Sequence, residues 1–149
     1  MQRFMGKVVL VTGAGSGIGK ASALRLAAEG GSIFCVDLNR EAVESAAAEI
    51  TAEGGVATHW VCDVGNEASV QEAVGACIEG YGSLYGVVNM AGILRFDDTE
   101  ELQTDDWQKV IDINLTGSMF LCRAALPHLV ETKGSSVNAT LTAARSGLP

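Results

Sequence analysis

The clearest chemistry in this chain lies in eight consecutive residues, Thr12-Gly13-Ala14-Gly15-Ser16-Gly17-Ile18-Gly19. With so few side chains in the stretch, a ligand can approach its backbone closely. An apolar run, Val8-Val9-Leu10-Val11, leads in, and Ile18, Ala21, Leu24 and Ala28 recur at helical spacing behind it. A strand, a glycine turn and a helix in that order make an anion cradle. The N–H groups at the helix start have no partners within the helix and face the negative charge of a diphosphate. The candidate contacts here are Gly13, Ser16, Gly17, Ile18 and Gly19. A βα turn with no ligand is the alternative reading.

Asp37 closes a second apolar run, Ser32-Ile33-Phe34-Cys35-Val36-Asp37, 18 residues beyond Gly19. A carboxylate there accepts hydrogen bonds from both hydroxyls of an adenosine ribose and repels a 2′-phosphate. Positions 16 and 38 hold Ser16 and Leu38 rather than a base that would welcome that phosphate, although Arg40 is near. The expected cofactor is therefore NAD, preferred over NADP, with Leu38 beside the ribose. The alternative for Asp37 is a solvated cap at a strand end.

Three further positions join the set. Asp63, followed by Val64, ends a third apolar run, where it can accept from an adenine amino group or stand as a solvated turn residue. Asn89, Ala91 and Gly92 end a fourth, and small residues there leave room for a ribose. Asn89 reads equally well as a turn residue. Asn114 stands in Ile111-Asp112-Ile113-Asn114-Leu115-Thr116-Gly117, and Asn followed closely by Gly is poor helix chemistry. That cost points to a helix irregularity or a polar task, with a satisfied buried amide as the alternative.

The elements that must position these residues alternate along the chain. Strands are predicted at 7–12, 32–37, 56–62, 84–89 and 135–140. Helices are predicted at 17–29, 40–53 and 67–80, with Asn66 as an N-cap, and helical sequence over about 100–132 with Pro127 bending its last turns. Gly54-Gly55 stops the second helix. Alternation of this kind implies an α/β fold, a doubly wound parallel sheet with helices on both faces. The expected strand order is 3-2-1-4-5, in one domain spanning 1–149.

Composition narrows the function. A net charge of −8 with no Lys/Arg cluster argues against nucleic-acid binding. No apolar run reaches the roughly 20 residues of a membrane span, and the first residues lack a signal-peptide core. The expected setting is the cytoplasm. Cys35, Cys62, Cys77 and Cys122 form no Cys-x-x-Cys pair and read as buried free thiols. His59 and His128 are isolated, so no metal site is expected.

Together these motifs resemble a classical short-chain dehydrogenase/reductase over nearly all 149 residues. Thr12 to Gly19 matches its Thr-Gly-x-x-x-Gly-x-Gly, and Asp37 its acidic residue after strand two. Asp63-Val64 matches its Asp-Val, and Asn89 to Gly92 its Asn-Asn-Ala-Gly, with Met90 replacing the second Asn. Asn114 matches its active-site asparagine, and Gly134 to Asn138 its fifth strand. The resemblance implies hydride transfer between a nicotinamide and an alcohol or carbonyl carbon. It also implies a Tyr that moves the proton, a Lys four residues later that lowers the Tyr pKa, a Ser that orients the substrate, and an Asn in a water relay.

The sequence departs from the family where catalysis begins. Leu141 takes the place of the catalytic Ser. Thr140 and Thr142 flank it, and strand alternation aims them at the other face. Neither Tyr81 nor Tyr85 has a Lys four residues on. The expectation is a nucleotide-binding part that lacks turnover by itself, with Asn114 as a remnant of the catalytic tetrad. Strand five becomes an edge, with Ser136 and Arg145 as polar replacements for lost neighbours. The family's long helix helps pair subunits; here it carries Met119, Phe120, Leu121, Leu126, Leu129 and Val130, so a homo-oligomer through that helix and the strand-five edge is expected. Two other readings stand beside this one: an oxidoreductase that takes its missing groups from another chain, and a structural or self-assembling module that uses no cofactor.

Overall fold

The computed structural model describes residues 2–95 and 98–139. Thr140, Leu141, Thr142 and Arg145 lie outside the described residues. Five strands, β1 (Val8–Thr12), β2 (Ser32–Asp37), β3 (Val56–Val61), β4 (Gly86–Asn89) and β5 (Ser135–Asn138), form one sheet in the order β3-β2-β1-β4-β5. Every pairing is parallel, with Val9 level with Ile33 on one side and Gly86 on the other. The order reverses after β3, so the sheet has its topological switch point between β1 and β4, where ligands bind in such folds.

Apolar strands covered on both faces read as unbroken hydrophobic runs. β1 fits that rule and is buried at all five positions. Helices α1 (Gly17–Ala28) and α2 (Arg40–Ala52) cover one face, closing over Val9, Val11, Ile33 and Cys35. Helices α3 (Glu67–Tyr81) and α5 (Gly117–Thr132) cover the other, closing over Leu10, Phe34 and Val87. The side chains of Asn39 and Asn66 cap α2 and α3, each accepting a backbone N–H at 3.1 Å. No helix among the described residues is long and apolar enough to cross a membrane.

Most predicted elements appear within two residues of their expected ends. The region 100–132 differs. Helix begins only at Thr104, as α4 (Thr104–Ile111), and a π-helical turn, Asp112–Thr116, separates it from α5. Gly117 ends that turn. A Cβ there would lie 2.7 Å from the Val64 carbonyl oxygen, so only glycine lets the helix close on the end of the sheet.

Two other expectations change. Cys122 is half-buried, not buried, while Cys35, Cys62 and Cys77 are enclosed. Burial pushes the Cys35 thiol up to about 11 and the Cys77 thiol up to about 12. On the long helix, Leu121 and Leu129 face the core and Phe120 packs against it. The exposed apolar residues there are Met119, Leu126 and Val130, joined by Leu115 from the π turn.

Candidate functional site

The carboxyl ends of β1, β2 and β4 open into a cleft of about 820 Å³. A hollow of about 480 Å³ at the opposite end of the sheet holds Glu53 as its only charged residue, among Gln2, glycines and apolar side chains. The larger cleft brings together nearly every residue singled out in the sequence.

Its floor is the glycine turn. Gly13 has φ +64, and a Cβ there would stand 3.0 Å from backbone atoms of Met90 and Ala91. Gly19 carries no such φ, but its Cβ would fall 2.1 Å from the Gly13 carbonyl oxygen. These two contacts fold the turn tightly beneath α1. Gly17 has φ +52, with nothing within 4 Å of a Cβ. Ser16 is the N-cap of α1, yet its side chain caps nothing, and the first turn holds no acidic residue. The opening amides of α1 thus have no side-chain cap, beside the exposed Ile18. A diphosphate suits this donor set: unpaired N–H groups, the positive end of the dipole and open space before Gly17.

Asp37 stands at the end of β2. Its Oδ2 accepts from the Gly15 N–H at 2.9 Å, and its Oδ1 accepts from the Asn39 N–H at 3.0 Å. Leu38 beside it is exposed and lines the cleft. Arg40 is turned to Glu44, one helical turn on, at 3.6 Å. Asp63 caps its own turn, its Oδ1 accepting from the Gly65 N–H at 2.9 Å, and lines the cleft with Val64.

Asn89 is the exception among the candidates. It is buried, and its side chain lies outside the cleft lining. Its Oδ1 accepts from the Thr12 hydroxyl at 2.6 Å, and its Nδ2 donates to Ser118 Oγ and Asn138 Oδ1 at 2.9 and 3.1 Å. The Thr12 oxygen in turn accepts from the Met90 and Ala91 N–H groups at 3.2 and 3.1 Å. Asn89 therefore ties β1, β4, β5 and α5 together and sets the path of Met90-Ala91-Gly92.

Asn114 lies within the π-helical turn, and its side-chain amide is engaged with the backbone of Ile93. Its own carbonyl accepts from the Ser118 hydroxyl at 2.8 Å. Ser118, Thr12, Gly15 and Ile93 are hydrogen-bond partners of the candidate residues that sequence reasoning did not assign. Ser118 had one legible signal, its place one turn after Asn114; the others depend on partners far away in the chain.

Neither tyrosine lines the cleft. The Tyr81 hydroxyl pairs with Thr58 Oγ1 at 2.8 Å, and Tyr85 lies under Lys7 Nζ at 4.0 Å from its ring centre.

The short chain dehydrogenase family model matches residues 7–149. The D-threitol dehydrogenase of Mycolicibacterium smegmatis is 41% identical over 135 residues, covering 91% of this chain and 52% of that protein. The 3beta-hydroxysteroid dehydrogenase of Mediterraneibacter gnavus is 40% identical over 150 residues, covering 100% of this chain and 54% of that protein. Among solved structures, NAD+-bound xylitol dehydrogenase matches with a TM-score of 0.94 at 38% identity, over 99% of this chain and 57% of the other. The chain spans about half the length of the curated relatives it matches.

Proposed function

This chain belongs to the short-chain dehydrogenase family, and from that premise we propose that its cleft binds NAD in preference to NADP. The observation that carries the reading is the uncapped start of α1 opening into the same cleft as the Asp37 carboxylate. The amides of Ser16 to Gly19 hold the diphosphate. Asp37 accepts from the adenosine ribose, with Leu38 beside it, and Asp63 and Val64 border the adenine. The Ala91-Gly92 backbone supports the second ribose, and Asn89 acts by holding that backbone in place. When bound, the nicotinamide supplies the hydride exchange with an alcohol or carbonyl carbon that is the family's reaction.

Proton transfer is a separate requirement. Tyr81 is committed to Thr58, and Tyr85 has no cleft contact. The 149-residue chain therefore binds cofactor as one nucleotide-binding domain without turning over alcohol by itself. Asn114 is the member of the catalytic tetrad that it carries. A reducing, cytoplasmic setting suits its four free cysteines.

A second feature favours self-association. Leu115, Met119, Leu126 and Val130 fall at i, i+4, i+11 and i+15 and are all exposed, and β5 is exposed at each of its four positions. Pairing of copies through this helix face and the β5 edge covers both.

Titration calorimetry with NADH and NADPH tests the cofactor reading. Binding of NADH, weaker binding of NADPH and no alcohol-dependent rise in NADH absorbance are expected; silence at millimolar NADH rejects it. Sedimentation velocity with and without NAD tests the pairing, and a strict monomer in both rejects that part.

A further inference from the structure

Gly15 sits in the middle of the glycine turn, outside the set that touches the diphosphate. Its N–H donates to Asp37 Oδ2 at 2.9 Å, while the Asn39 N–H donates to the other oxygen at 3.0 Å. Both oxygens of the carboxylate are therefore anchored to backbone, from two different segments. Each oxygen keeps a free lone pair. A Cβ at position 15 would stand 2.8 Å from the Ala42 Cβ, 3.0 Å from Asp37 Oδ2 and 3.1 Å from Asp37 Cγ. Its φ is not in the left-handed region, so the backbone itself tolerates a side chain there. What forbids one is the space taken by Asp37 and α2.

We propose that Gly15 is a specificity-determining position: its N–H fixes the Asp37 carboxylate in the orientation that accepts a ribose diol and excludes a 2′-phosphate. The inference rests on the NAD preference proposed above. An untethered carboxylate can swing aside to admit a phosphate. A tethered one must first give up a charge-assisted hydrogen bond, and such bonds are among the stronger ones in proteins. Holding the acceptor in place before binding also spares the ordering cost when the diol arrives. The closest contact of a methyl group at position 15 is the Ala42 Cβ at 2.8 Å, so the turn shifts away from α2. That shift, together with the methyl's contact on Asp37, parts the carboxylate from the N–H at position 15.

The test is a double-mutant cycle on NADH and NADPH affinity, read by calorimetry for wild type, Gly15→Ala, Asp37→Ala and the double variant. In Gly15→Ala, NADH binding is expected to weaken roughly tenfold while NADPH binding holds or improves. In the Asp37→Ala background the same substitution is expected to leave the ratio of NADH to NADPH affinity unchanged. Equal losses for both cofactors in the Asp37 background, an unchanged ratio there, or a change of ratio that persists without Asp37 overturns the assignment. A wild type without a preference for NADH overturns the underlying reading as well; a preference that survives Gly15→Ala overturns the Gly15 role alone. If Gly15→Ala does not fold, amide hydrogen exchange decides. The Gly15 and Asn39 amides must exchange faster in Asp37→Ala than in wild type, and an unchanged Gly15 rate overturns the tether.

Discussion

Asn114 grips the backbone of Ile93 with both ends of its side-chain amide: Nδ2 donates to the Ile93 carbonyl and Oδ1 accepts the Ile93 N–H, each at 2.8 Å. The π-helical turn places the amide at that height, and Gly92 leaves room for it, since a Cβ there would stand 3.2 Å from Asn114 Oδ1. The strand-four loop is thereby fastened to the long helix at the edge of the cleft.

Asn114→Ala leaves both backbone groups of Ile93 without their partner. The site is exposed and water replaces part of the loss, so the stability cost is about 1 kcal/mol. The sharper readout is hydrogen exchange: the Ile93 amide exchanges faster in the variant while β1 amides hold their rate. Asn114→Asp keeps an acceptor for the Ile93 N–H but sets its other oxygen against the Ile93 carbonyl, so its Ile93 amide is expected to exchange at a rate between wild type and Asn114→Ala.

The Thr12 hydroxyl serves three partners in a buried setting: it donates to Asn89 and accepts from Met90 and Ala91. Thr12→Val matches the shape and deletes all three bonds, costing about 2 kcal/mol in urea unfolding. Thr12→Ser keeps the oxygen, and its loss is predicted to be the smaller.

The glycines of the turn are not equivalent. Gly17→Ala meets open space and only the strain of a left-handed residue, about 1 kcal/mol. Gly19→Ala drives a methyl into the Gly13 carbonyl and costs about 3 kcal/mol or more. Gly19→Trp therefore abolishes cofactor binding by breaking the turn itself as well as by blocking the diphosphate. The ranking is read from denaturation midpoints.

Glu29 fastens the segment before β1. Hydrogen bonds from Arg3, then from Arg25, hold its carboxyl down to about 2 from an ordinary 4.5, against the opposing effect of burial. A folded-state value below the unfolded one gives stability that is present above about 4.5 and drains away as pH falls toward about 2. Glu29→Gln is expected to flatten the decline of thermal stability across that window and to lower stability at neutral pH.

Asp37→Ala removes the carboxylate that separates the two cofactors. The preference for NADH over NADPH is expected to contract roughly tenfold or more, as measured by calorimetry. An unchanged ratio counts against the role given to Asp37.

The central strands β1 and β2 were legible in the sequence because they are covered on both faces and read as unbroken apolar runs, as in Val8 to Val11. The cradle was legible because its parts are adjacent along the chain. Asn114 and Gly117 announced an irregularity, but the close approach of Gly117 to the Val64 carbonyl, 53 residues earlier, is encoded by no local pattern. The Thr12–Asn89 bond spans 77 residues and the Gly15–Asp37 bond 22. Contacts across such distances arise from the strand order, so Thr12, Gly15 and Ser118 acquire their tasks only once the sheet is assembled.

The most direct measurement is a crystal structure of this chain soaked with ADP-ribose, which carries the diphosphate and both riboses without the nicotinamide. Phosphate density against the amides of Ser16 to Gly19, with the adenosine ribose hydroxyls on Asp37, is the predicted result. A turn closed over by its own side chains, or a ligand seated elsewhere with Asp37 untouched, contradicts the account.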